Sequence, residues 1–198
     1  MSEKKFSSKE LIGQLRPTPD LAYEFSNQEV LEGVKFFIKY VGYTFEEQKE
    51  HHPGDPDFSA IRTTPEVTYR IIGVLRRNMK EVAEGITYLK KIKEKLGTEG
   101  QTEYAIVLPP VQERHLIDYM KADGNKLYRD LQLNKFMLWL CNPTEKSMFC
   151  AQGASRDKHV NEYFRMKPAG SFLGRLAAMP YASKGTKFQE ELMDSLEQ

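Results

Sequence analysis

Asp57 has the surroundings most suggestive of chemistry. It closes the turn Gly54-Asp55-Pro56-Asp57 and opens a β-like run through Thr63. A carboxylate at a strand entrance can help hold a hard divalent cation such as Mg²⁺, which prefers clustered carboxylate oxygens and can drive phosphodiester hydrolysis. An aspartate in a Gly/Pro-rich turn equally suits backbone capping, and the residues alone leave both readings open. Glu29 is a candidate second carboxylate, although its spacing from Ser26 is also that of a helix capping box. On the basic side, Arg76, Arg77 and Lys80 bunch where a β-like run passes into a helix, a place where phosphates are readily held. From Arg62 to Lys95 the chain carries nine Lys and Arg against four Glu. That excess suits a phosphate-binding patch, to which Arg62 would contribute, and suits a solvated helix face equally well.

Other candidates are weaker. His51 and His52 sit in a Pro/Gly-rich loop with no Cys or third His at a ligand spacing, so a solvated loop is the simpler account. His115 and His159 have no Ser or Cys partner that would suggest a nucleophilic dyad. Tyr88, Tyr119, Tyr128, Trp139, Tyr163 and Phe164 could include a base-stacking platform, but aromatics at such spacings more often fill a core. Gly170, Gly174 and Gly185 make no phosphate-cradling motif.

The elements that must position these groups follow from periodicity. Ser26 opens a helix whose stripe is Val30, Val34, Phe37, Ile38 and Val41, and Gly42 stops it. Three β-like runs follow, at Tyr43–Lys49, Asp57–Thr63 and Val67–Arg76. Asn78 and Glu81 can cap a second helix with apolar residues Met79, Val82, Ile86, Leu89, Ile92 and Leu96. Tyr104–Leu108 is wholly apolar, as a buried strand would be. Pro109-Pro110 then starts a helix through about Met120, and Phe136–Cys141 and Ser147–Cys150 read as a hairpin. From Ala151 the pattern is irregular, turning helical again at Phe188, Leu192 and Leu196. The expected fold is α/β, with α+β as the alternative: a mixed central sheet with helices on both faces. The expected organisation is a polar arm over 1–25, a domain over 26–150 and a partly helical extension over 151–198.

This order, with Pro56-Asp57-Phe58-Ser59-Ala60 entering the second strand, resembles the PD-(D/E)xK nuclease-like superfamily, closest to its Mrr-type, restriction-endonuclease-like branches. The resemblance covers roughly residues 26–109 and includes Gly42-Tyr43 after the first helix and Ala105-Ile106-Val107-Leu108-Pro109 as the last core strand. It implies a restriction-endonuclease-like fold in which Asp57 holds magnesium, joined by the acid of a Glu-x-Lys motif on the next strand, whose lysine positions the attacking water. A carboxylate on the first helix, here Glu29, sometimes joins such a site. Residues two apart on a strand point to one face, so acid and base can act on one phosphate. Here the third strand reads Thr68-Tyr-Arg-Ile-Ile-Gly73-Val74-Leu75-Arg76-Arg77. One register puts Gly73-Val74-Leu75 at the motif; the neighbouring one puts Val74-Leu75-Arg76 there, keeping a base and lacking the acid. The hydrolytic site reads as degenerate.

Composition bounds these readings. The chain has 198 residues, 40% hydrophobic and 29% charged, with 29 Lys and Arg against 28 Asp and Glu. A net charge of +1 excludes a strongly basic nucleic-acid coat and an acidic tail, but not a local patch. No apolar run approaches the ~20 residues of a membrane-spanning helix. The polar start carries no visible secretory signal, and two cysteines are too few for a disulfide scaffold or a four-ligand zinc site. A reduced, cytoplasmic protein is the expectation. The leading functional expectation is a degenerate nuclease-like protein that binds DNA or RNA through Arg76, Arg77, Lys80 and Arg62, with no certain cofactor. One alternative is an active Mg²⁺-dependent nuclease whose acid comes from Glu29, Asp55 or Glu66, with Arg76 in the lysine's role. Another is a scaffold or assembly subunit that contacts itself or another protein through its termini.

Overall fold

The computed structural model describes residues 25–46, 52, 54–96, 101–111 and 113–166. The expected arm, the end of the first β-like run, His51 and the expected helix at 188–196 lie outside the described residues.

Helix α1 (Asn27–Tyr40) starts where the capping box predicts it, with the Ser26 hydroxyl accepting from the Glu29 amide and the Glu29 carboxylate accepting from the Ser26 amide. Its stripe of Val30, Val34, Phe37, Ile38 and Val41 is buried. Strands β1 (Thr44–Phe45), β2 (Phe58–Thr63) and β3 (Thr68–Leu75) follow as an antiparallel meander. A short 3-10 turn at Met79–Glu81, capped by Asn78, leads into α2 (Val82–Leu96), which crosses over to β4 (Gln101–Leu108), parallel to β3. Helix α3 (Glu113–Asn134) then returns the chain to β5 (Phe136–Asn142), parallel to β4, and β6 (Ser147–Gln152) closes the antiparallel hairpin. The result is one six-stranded mixed sheet in the order β1-β2-β3-β4-β5-β6.

Both faces of the sheet are covered, which is why β4 is buried from Glu103 through Leu108 and its sequence runs apolar without alternation. On one face α1 and α4 (Lys158–Met166) enclose Phe37, Trp139, Tyr163 and Phe164, whose rings contact one another edge-on or stacked. On the other, α2 and α3 bury Ile72, Val74, Val82, Ile86, Leu89, Leu116 and Leu131 against the sheet. No helix among the described residues is long and apolar enough to cross a membrane.

Two local expectations are corrected and one is extended. The helix expected through about Met120 ends at a break over Ala122–Asn125, where Asp123, Gly124 and Asn125 take φ of 52°, 63° and 62°, and a second helical segment, not expected, carries α3 on to Asn134. Such residue types tolerate the left-handed region. The boundary at 150 falls inside β6, which runs on to Gln152. The stretch read as irregular contains α4, whose Val160, Tyr163 and Phe164 belong to the core.

A candidate functional site at the end of the parallel strands

Strand pairing decides which side chains can meet Asp57. Phe58 pairs with Gly73, so Asp57, one step earlier, comes opposite Val74, and alternation puts Val74 and Arg76 on its side of the sheet. Leu75 packs on the opposite face with α1. Gly73 also faces that way: a Cβ on it would overlap the Phe58 ring. Of the two registers the sequence leaves open, Val74-Leu75-Arg76 is therefore the one beside Asp57. Its acid position is Val74, wholly buried among residues of α2. Its basic position, Arg76, is filled.

The Asp57 carboxylate accepts from the Leu75 amide at 2.6 Å and lies 3.6 Å from the Arg76 guanidinium. Arg76 in turn donates from Nη1 to the Leu75 carbonyl at 2.6 Å and from its amide to Val107 at 2.9 Å. Its guanidinium also lies 5.4 Å from the centre of the Tyr88 ring. Tyr88, read in the sequence only as a candidate stacking aromatic, is thus a partner of Arg76, a placement the residue pattern did not show.

These surroundings do not fit a magnesium ion. The carboxylate is engaged by an amide donor and a cation, and Mg²⁺ needs oxygen ligands. Among the described residues, no three His, Cys, Asp or Glu side chains converge on a possible metal position. Glu29 is exposed and engaged in its capping box, where the Ser26 amide and hydroxyl hold its carboxyl below the usual range. The start of α1 packs near β5, since Cys141 Sγ reaches the Val30 carbonyl, and β5 lies three strands across from β2. Asp55 accepts from the His52 amide at 3.0 Å and stands 3.8 Å from Lys95. Glu66 lies in the β2–β3 turn, at the opposite end of these strands from Asp57.

The basic residues divide. Arg77 and Lys80 are exposed on either side of Asn78, at the entry to the 3-10 turn, and stand close in sequence to Arg76. Arg62 is elsewhere, near the far end of β2. Its guanidinium bonds to Asp157 at 2.5 and 2.7 Å, and lies 5.6 and 5.0 Å from the Tyr43 and Tyr69 ring centres. Lys93 donates to the Asn134 carbonyl at 3.3 Å and Arg70 pairs with Glu46 at 3.3 Å, while Lys91 is exposed. Of the aromatics, Tyr128, Trp139, Tyr163 and Phe164 are core residues, so they make no surface platform.

The opposite end of the sheet holds a second cluster that the sequence did not announce. Asp157, fully buried, takes the Arg62 pair, a 2.7 Å bond from the Tyr43 hydroxyl and the His159 amide at the start of α4. Beside it, buried Glu103 accepts from the Ser155 hydroxyl at 2.6 Å and from the Arg156 amide. Burial raises the Glu103 carboxyl above the ordinary value, and burial with the Asp157 contact raises the Tyr43 hydroxyl. Cys150 is pushed up to about 12, chiefly by burial, so it is no ready nucleophile.

No family model and no curated protein matches the chain. Among solved structures it is similar to the restriction endonuclease FokI bound to DNA, at 14% identity and a TM-score of 0.41. The match covers 70% of this chain and 28% of that one, so the chain spans under a third of that structure's length.

Proposed function

We propose that this chain is a nuclease-like protein of the PD-(D/E)xK kind whose hydrolytic site is degenerate, and that it binds nucleic acid through Arg77, Lys80 and the neighbouring exposed lysines. The observation that carries the reading is the pairing at the end of β3. Asp57 stands where the resemblance puts the acid, the basic residue two places after Val74 is present, and the second acid is replaced by a buried valine. One carboxylate facing a guanidinium lacks the clustered oxygens needed to hold a catalytic cation. Arg77 and Lys80 remain exposed beside it, at a strand end leading into a helix, where phosphate oxygens meet cationic side chains and amide donors. Arg76 and Arg62, engaged with Asp57 and Asp157, are left out of the contact surface.

Fluorescence anisotropy with labelled single- and double-stranded DNA and RNA across a salt series tests this, with wild type beside Arg77→Ala/Lys80→Ala. Micromolar binding that weakens with salt is expected. The salt slope for duplex should fall by about 0.9 for each phosphate contact removed. No binding at low salt would overturn the nucleic-acid reading and favour an assembly role. Mg²⁺- or Mn²⁺-dependent cleavage that vanishes in Asp57→Ala would instead favour a working nuclease with Arg76 as its basic group.

A further inference from the structure

The Arg76 guanidinium is too well held to be an incidental surface charge. Its side chain is only 14% exposed. It is tied at Nη1 to the Leu75 carbonyl, lies over the Tyr88 ring and runs alongside α2 at Gly85, where a Cβ would come 3.4 and 3.5 Å from its Cγ and Nε, an ordinary packing distance. Tyr88 is itself fixed, donating to the Asp55 carbonyl and accepting from the Gly54 amide, both at 3.0 Å. The turn that delivers Asp57 thus also positions the ring beneath the guanidinium, so that carboxylate, ring and cation form one assembly.

We propose that Arg76 is a built-in counter-ion that closes Asp57 to divalent cations. The inference rests on the nuclease-like reading of this strand end and deepens it: with the second acid absent, the basic residue of the motif is left paired with the one remaining carboxylate. An approaching dication meets a fixed guanidinium and an amide donor at the Asp57 carboxylate, and like charges at such distances repel. Removing the charge while keeping Asp57 should open a weak cation site.

Mn²⁺, used as a paramagnetic probe on the full chain, tests this by selective broadening of amide signals in wild type, Arg76→Ala, Arg76→Gln and Arg76→Gln/Asp57→Asn. Arg76→Gln keeps an amide donor for the Leu75 carbonyl and guards against loss of local structure. Wild type should show no selective broadening at Asp57, Val74 and Leu75 up to millimolar Mn²⁺. Both single variants should show it, and the double variant should lose it. Selective broadening of these signals in wild type overturns the proposal. So does its absence from folded Arg76→Gln. Anisotropy with Arg77→Ala/Lys80→Ala reads nucleic-acid binding independently, so failure of one idea is distinguishable from failure of the other.

Discussion

The two ends of the sheet each hold an aspartate facing an arginine, and the pairs are built differently. At the end carrying Asp57 and Arg76, the closest charged atoms are 3.6 Å apart, with side chains 30% and 14% exposed. At the other, Arg62 meets Asp157 through two contacts of 2.5 and 2.7 Å, and Asp157 is wholly buried. The buried carboxylate is fully employed: Tyr43, Arg62 and the start of α4 all converge on it. Such a network clasps the α1–β1 connection, β2 and the start of α4 together, and a buried charge tolerates no missing partner. The Asp57–Arg76 pair meets at one contact of 3.6 Å, and its carboxylate is part-exposed. Equal residue types therefore do unequal work, decided by burial and by the number of bonds each carboxylate accepts.

The comparison breaks most visibly on removal of an aspartate. Asp157→Ala should cost about 3–5 kcal/mol, because the Arg62 guanidinium and Tyr43 hydroxyl would be left buried without it. Asp57→Ala should cost less, about 1–2 kcal/mol, because the Asp57 side chain is itself 30% exposed and its ion pair is looser. Urea denaturation of both variants against wild type measures the difference. Equal losses would mean that the two ends are structurally equivalent and that Asp57 is simply another clasp.

A second substitution tests whether the packing beside Asp57 can accept change. Gly73→Ala would drive a methyl into the Phe58 ring, and overpacking of this kind costs about 1–3 kcal/mol. The Phe58→Leu background should recover part of that loss, since it removes the obstructing ring edge. Thermal unfolding of the single and double variants reads this coupling. Additive effects would show that the ring and the glycine do not constrain each other.

What the sequence disclosed was whatever is local. The capping box and the stripe of α1 are set by residues three and four apart, and both stand in the structure as expected. Strand β4 was legible because burial on both faces demands an unbroken apolar run. The turn before Asp57 was legible too. The meeting of Asp57 with Arg76 was not, because it depends on the register between β2 and β3, and a slip of one residue would reverse every side chain. Arg62 looked like a surface cation because its partner lies 95 residues away, and the Tyr43–Asp157 bond spans 114. Helix α4 escaped notice because nine residues give too few turns to establish a period.

The smallest expected effect concerns Glu103 and sharpens what the buried end is for. Its carboxyl is raised by burial, a cost partly offset by bonds from Ser155 and Arg156. With a folded pKa above the unfolded value, the native state binds a proton more readily than the unfolded chain does. Stability should therefore rise as pH falls from neutral toward the ordinary carboxylate value of 4.5. Glu103→Gln, which keeps an acceptor for the Arg156 amide and carries no charge, should abolish this rise and change neutral-pH stability by about 1 kcal/mol or less. Thermal midpoints of wild type and variant across that pH range check both statements. A wild-type profile whose slope survives the substitution would assign the pH dependence to another group and leave Glu103 as a neutral-pH hydrogen-bond acceptor only. Loss of the slope would make the buried end a place where the fold tolerates a carboxyl raised by burial to anchor the start of α4, in contrast to the Asp57 end, where the carboxylate is part-exposed and faces a guanidinium 3.6 Å away.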